Sequence, residues 1–296
     1  MKQIFAIFIL MILGQPLHAE VRIAVMGVGN DMNLIERWAS FEGSAVRATK
    51  SAQSFRVDDL NAYILAPRPE TSLAQVASLL YQASAAVIVI DSTQGPLPTN
   101  REHIILARQA RVPVVAIMLA NVDELHALAP GDAADLLMLE EEEVRSVMAA
   151  YELDGRSALA FHDSNVGANA PKASAGGLSK AASVVAGISK GGDRNPPAEP
   201  QQQGRGQVYL LTEAEAKGVP ASISGSTPMV IWSDGATATV ELTPTRAAAP
   251  GDVADVSIRG EHGFLGKAGS RFVLIKDESV VGLGVFTEVS RFASSR

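Results

Sequence analysis

AVIVIDSTQGPLPTNREHIILARQARVPVVAIML, residues Ala86 to Leu119, is the stretch that decides the fold. It opens on a continuous β-branched apolar run, Ala86 to Ile90, and closes on a second one, Val114 to Leu119. Runs of this kind suit strands buried on both faces. Between them Asn100 to Arg111 places Ile104, Ile105 and Arg108 around a helical turn. Strand, helix, strand at this spacing implies a parallel pair joined by a crossover helix.

The same alternation extends in both directions. Upstream, Val21 to Met26 is a short apolar run ending at Gly27, Asn61 to Leu65 is another, and Thr71 to Ala83 carries Leu73, Val76, Ala77 and Leu80 on one helical stripe. Downstream, Asp132 to Tyr151 repeats Leu136, Leu139, Val144 and Val147, and Gly176 to Ser189 aligns Leu178, Ala181, Ala182, Val185 and Ile188. Residues 20–190 therefore read as one α/β domain on a parallel sheet. From Gly191 to Gly206 the sequence GGDRNPPAEPQQQGRG has no apolar side chain large enough to build a core, so it reads as a linker. Residues 207–292 change to short β-type runs punctuated by Gly and Pro: Gln207–Thr212, Pro228–Ser233, Thr237–Leu242, Asp255–Arg259, Arg271–Lys276 and Ser279–Glu288. Six such runs indicate a small antiparallel barrel or sandwich.

Composition sets outer limits on function. The chain has 296 residues, 47% hydrophobic and 19% charged, which suits two globular domains and excludes disorder or a collagen-like repeat. Residues 20–190 carry 14 Lys and Arg against 20 Asp and Glu, and residues 207–296 carry 8 against 10. With no basic region to neutralise phosphates, nucleic acid is not an expected partner. Cysteine is absent, so disulfides and thiol ligands are excluded. The first 19 residues read as a signal peptide: Lys2 gives a positive start, Ile4 to Leu13 an apolar stretch, Gly14 and Pro16 a break, and Ala19 a small residue before the cut. Leu17 is unusual at such a site, which leaves retention as an anchor open. The longest apolar run falls well short of the roughly 18 to 20 residues a membrane helix needs, so no transmembrane span is expected after cleavage. The expected location is periplasmic or secreted, in a bacterium.

Two sets of residues carry a family resemblance. Asp91 to Leu119 contains Gly95-Pro96-Leu97-Pro98 followed by Arg101-Glu102-His103, a helix and Val112-Pro113. Gln207–Leu211, Thr239–Leu242, Pro250-Gly251-Asp252, Gly269–Phe272 and Val281–Val289 follow in order. The first set resembles the GTPase domain of the elongation factor Tu family of translational GTPases, and the second resembles that family's C-terminal β-barrel. The resemblance implies an α/β P-loop-GTPase-like parallel sheet plus a small antiparallel β-barrel, with the family's middle barrel missing.

For an intact member the resemblance further implies a GTP site with Mg²⁺, and the positions that would hold them can be checked one by one. The phosphate loop G-x-x-x-x-G-K-[ST] supplies close backbone, a lysine and a magnesium-binding hydroxyl. Here Gly27 remains, while Met32, Asn33 and Leu34 replace the second glycine, the lysine and the hydroxyl. The D-x-x-G-His segment aligns with Leu65-Ala66-Pro67-Arg68-Pro69, and the guanine-reading N-K-x-D with Ala120-Asn121-Val122-Asp123. Gly27 and Asp123 are thus the vestigial cofactor-binding candidates. Each also has a plain structural reading, Gly27 as a turn glycine and Asp123 as a helix N-cap. Asp91 reads as a solvated turn residue, His103 as a packing or capping histidine, and Glu140 to Glu143 as a solvated helix face. The expectation is an exported pseudo-GTPase without a catalytic residue, cofactor or metal, which acts as a scaffold for an unknown protein partner. The alternative is a translation-factor-like protein with residual GTP binding or GTPase activity.

Overall fold

The computed structural model describes residues 20–27, 33–162, 170–189 and 198–290. The leader reading of residues 1–19, the replacement of a phosphate-loop glycine by Met32, and residues 191–197 of the expected linker therefore lie outside the described residues. Among those described, the first domain is a seven-stranded sheet in the order β2-β3-β4-β1-β5-β6-β7. Strands β1 (Val21–Met26), β4 (Ala62–Pro67), β5 (Ala85–Asp91), β6 (Val114–Ala120) and the edge strand β7 (Ala160–His162) are parallel. The sheet is mixed, however. At one edge β3 (Ala52–Val57) runs antiparallel to both of its neighbours, β2 (Arg47–Ala48) and β4.

Burial on both faces explains the continuous apolar runs. On β5, Ala86, Ile88 and Ile90 face one core, and Ala85, Val87 and Val89 face the other. The first face is covered by α2 (Leu73–Gln82), α3 (Pro98–Gln109) and α5 (Ala133–Ala150). The second is covered by α1 (Asn33–Phe41) and α6 (Ala170–Ile188). Trp38 of α1 is fully buried, meets Phe55 edge-on at 5.1 Å and donates to Ser179 Oγ at 2.8 Å. That single side chain joins the antiparallel edge to α6.

Helix α2 buries Leu73, Val76, Ala77 and Leu80, the stripe its sequence spells out, and Ser72 and Gln75 close a capping box at its start. Helix α5 corrects the reading of its stripe. Ala133, Leu137, Val144 and Met148 are buried, whereas Leu136 and Leu139 are 37% and 58% exposed. Val144 is buried and Val147 packs against the core as expected, so the difference lies at Leu136 and Leu139, where Ala133 and Leu137 take the buried positions instead. Small Ala133 takes the close-packed position beside the sheet. No helix among the described residues is long and apolar enough to cross a membrane.

The second domain is a closed barrel in the order β10-β11-β8-β13-β12-β9. Its strands are β8 (Pro200–Leu210), β9 (Thr227–Ser233), β10 (Ala236–Pro244), β11 (Val253–Leu265), β12 (Arg271–Lys276) and β13 (Ser279–Ser290). The expected linker is therefore too long. Residues 200–206 belong to β8 and pair with both β11 and β13. The apolar filling comes from other strands. A Cβ on Gly206 would lie 3.2 Å from Phe272, and one on Gly204 would lie 3.2 Å from Phe264. These glycines leave room for a cluster of rings in which Phe264 stacks on Phe286 at 5.2 Å and Phe272 tilts against Phe286 at 4.5 Å.

Gly284 is the tightest of these positions, since it pairs with Phe272 across β12 and β13 and a Cβ there would come within 2.1 Å of the ring. Gly284→Ala should thus overpack the barrel and cost about 1 to 3 kcal/mol. Urea denaturation checks this by the midpoint, with an unchanged value excluding the packing argument.

Candidate functional site

The sheet order changes direction of build at β1, which lies between β4 and β5, and open α/β sheets place their ligand crevices outside the carboxyl ends of strands at such a point. A cleft of about 880 Å³ lies there. Its floor is formed by Val25, Gly27, Val89, Asp91, Ala120 and Asn121 at strand ends. The starts of α2 and α3 form its walls, and Lys217 and Glu278 of the barrel close one side.

Gly27 has φ +83°, and a Cβ there would sit 2.2 Å from the carbonyl oxygen of Val89 and 2.9 Å from Asn100 Nδ2. Buried Asn100 pins this corner by donating to Val89 O at 2.9 Å while accepting from Leu97 N at 2.8 Å. Backbone packing therefore accounts for Gly27. Leu34, at the position of the family's magnesium-binding hydroxyl, is 4% exposed and belongs to the core under α1. Its side chain has no oxygen to offer a cation. Leu65 is held within β4 opposite Ala24, and the following segment is tied down where Thr71 Oγ1 accepts from Arg68 N and donates to Ser51 O. The Arg68 guanidinium pairs with Glu70 at 2.8 Å.

The end of β5 is similarly self-contained. Asp91 accepts from Thr93 N at 3.0 Å, Thr93 Oγ1 at 2.7 Å and Gln94 Nε2 at 3.0 Å. Burial would raise its carboxyl, but the bonds from Thr93, Asn121 and Gln94 hold it below the usual range. It is the half-buried last residue of β5 and ties down the turn that follows. Asn121, with φ 60°, occupies the N-cap position of α4 (Val122–Leu128). The N-cap reading of Asp123 is corrected accordingly, because the chain turns one residue after Ala120 and Asn tolerates the left-handed conformation there. Asp123 lies exposed in the first helical turn, where negative charge suits the helix dipole, and it does not line the cleft.

His103 does line the cleft. Its Nδ1 is buried without a hydrogen-bond partner, and burial with Lys217 nearby pushes the imidazole down to about 4, so it is neutral near pH 7. Glu102 beside it is 2% exposed, and its significance is absent from the sequence reading. It accepts from Val280 N of the barrel at 3.1 Å and lies 3.6 Å from Lys217 Nζ, while burial holds its carboxyl above the usual range. The acidic run of α5 is split rather than uniformly solvated. Glu142 and Glu143 are exposed, burial pushes Glu140 up, and Glu141 binds Arg145 at 2.8 Å and His162 at 3.0 Å.

A second cluster joins the domains beside the cleft. Glu215 accepts from Tyr209 OH at 2.6 Å, from Thr212 N and Oγ1 at 2.9 and 2.8 Å, and from Tyr151 OH at 3.3 Å. The bond to Glu215 pushes the Tyr209 phenol up to about 12, and burial raises Tyr151 as well. Burial alone would raise Glu215, but these four donors hold it below its usual 4.5. A carboxyl depressed in the folded state stabilises the fold fully above its unfolded value and loses that contribution as pH falls through the folded value. Glu215→Gln should therefore lower the melting temperature at pH 7, and the deficit should shrink below about pH 4.5. Paired melting curves across pH 3 to 8 measure it (about 0.5-unit steps suffice), and a deficit independent of pH would contradict the assignment.

Residues 73–216, from the start of α2 into the barrel, match the family model described as the elongation factor Tu GTP binding domain. The match begins downstream of both residues 27–34 and residues 65–69. Together with a mostly parallel sheet flanked by helices and a closed six-stranded antiparallel barrel, it makes the chain elongation factor Tu-like, a GTPase-type domain joined to a barrel domain.

Proposed function

We propose that this chain is a pseudo-GTPase, a GTPase-type fold that works as a scaffold for another protein and neither holds nor hydrolyses GTP. The observation that carries the reading is the content of the cleft. Phosphate binding in such a fold is chiefly electrostatic, relying on a lysine, a bound Mg²⁺ and convergent backbone N–H groups. The hydroxyl position is the buried Leu34, and Arg68 and Lys217 already pair with Glu70 and Glu102. Four carboxylates, Glu70, Asp91, Glu102 and Glu278, line the same space and repel a polyanion. These residues do not fit a magnesium–nucleotide complex.

Each lost charge-assisted contact is worth about 1.5 to 3 kcal/mol, so three or four together weaken a tight site by about five orders of magnitude. Millimolar GTP or GDP with Mg²⁺ should give no saturable heat in calorimetry and no rise in melting temperature, since a ligand that does not bind the native state cannot stabilise it. The family match favours the second reading, a translation-factor-like GTP binder. A micromolar dissociation constant that disappears in Asp123→Ala would establish that reading instead.

The place of action follows from the leader. A positive start, an apolar stretch and a small residue at Ala19 support export, which puts the scaffold outside the cytoplasm, in the periplasm or beyond. A reporter active only after export, fused behind Glu20, should be active. Cytoplasmic full-length protein that retains Met1 would refute this.

A further inference from the structure

Two turns of the barrel close on helix α2. The Asp234-Gly235 turn between β9 and β10 lies against its C-terminal half, where Ser78 Oγ donates to Gly235 O at 3.3 Å and Trp232 Nε1 donates to Ser78 Oγ at 3.2 Å. The Asp277-Glu278 turn between β12 and β13 lies against its N-terminus, where Leu73 N donates to Glu278 Oε2 at 3.0 Å. Two residues further on, Val280 N donates in the opposite sense, to the buried Glu102 of α3 at 3.1 Å. Each domain thus supplies one carboxylate to a backbone N–H of the other.

The backbone makes this exchange more than incidental. Asp277 and Glu278 have φ of 49° and 53°, the left-handed conformations of a two-residue hairpin turn. Glycine is the favoured residue at the second of these positions and glutamate a poor one. A residue that breaks the local turn rule points to a use elsewhere, and here the carboxylate it supplies caps α2. At Glu102, likewise, a carboxylate is kept almost wholly buried with one N–H and one ammonium as its partners.

We propose that Glu278 and Glu102 form a reciprocal clasp that holds the barrel on α2 and α3 in one fixed orientation without any nucleotide. Helix α2 begins at Leu73, close behind residues 65–69, which align with the family's D-x-x-G-His segment. The clasp therefore fixes the element through which a nucleotide would otherwise act. This deepens the scaffold reading and rests on it for the absence of nucleotide-driven motion.

The cysteine-free chain allows one spin label per domain, at Asp59→Cys and Glu241→Cys, both exposed. Distances measured by double electron–electron resonance on the full chain should form one narrow distribution, unmoved by millimolar GTP with Mg²⁺. Glu278→Gly should broaden it and lower the melting temperature, although glycine suits the turn better. Should that variant fail to fold, Glu278→Gln, which keeps the side chain's shape but not its charge, should broaden it in the same way. A distribution that stays narrow in the variant that folds, with an unchanged or higher melting temperature, would overturn the clasp and leave the scaffold reading intact. A distribution that shifts with GTP in the otherwise unaltered chain would overturn both.

Discussion

One apolar core serves both domains, and most of the architecture depends on it. The face of the sheet covered by α2, α3 and α5 continues without interruption into Leu211, Trp232, Val273, Ile275, Val280 and Leu283 of the barrel. Helices α2 and α3 are thereby buried on two sides, against strands beneath and against the barrel outside. Polar groups at this seam are paired across it. Gln109 donates to Phe272 O at 3.0 Å and Arg111 to Gly269 O at 2.8 Å. Because burying an unpaired polar group costs more than a pairing gains, these bonds fix the register of the seam more than they add to its strength.

The cleft inherits its character from that seam. Lys217 keeps 44% of its side chain exposed, but its ammonium already has a buried anionic partner. It faces the carboxylate of Glu102, which is itself committed to Val280. The strand ends beneath are occupied by their own turns, as at Asp91 with Thr93 and Gln94. The match to the elongation factor Tu GTP binding domain starts at α2 and includes both helices that pack on the barrel.

How much of this was legible in the sequence depended on whether neighbours in the chain or neighbours in space decided the outcome. The parallel strands and the stripe of α2 were legible because burial on both faces or on one face writes directly into residue order. Strand β3 and helix α1 are the elements the sequence reading lacks: α1 is only nine residues long, although Leu34, Ile35, Trp38 and Ala39 form a buried stripe on it, and β3 interleaves its buried Phe55 and Val57 with polar residues. The first half of strand β8 is not legible because Gly204 and Gly206 stand where apolar side chains would, beside phenylalanines from other strands, whereas Val208 and Leu210 mark its second half. Glu102 was passed over because nothing local distinguishes it; only the docked barrel makes it a buried carboxylate. One available signal went unused. Val273 and Ile275 make β12 a continuous apolar run, and an antiparallel barrel strand with solvent outside should alternate.

That run also limits what the barrel can become. On their outer side β9 and β12 present Trp232, Val273 and Ile275, all buried only because α2 and α3 lie over them. The glycine of the Asp234-Gly235 turn is likewise shaped by its neighbour, since a Cβ there would meet the Tyr81 ring at 2.9 Å. A barrel transplanted onto another protein would carry an apolar sheet face into water, and exposed faces of that kind recruit whatever will cover them. The module is separable in topology but not in surface chemistry, so recombination in evolution or in the laboratory must move it together with α2 and α3 or rewrite its outer face.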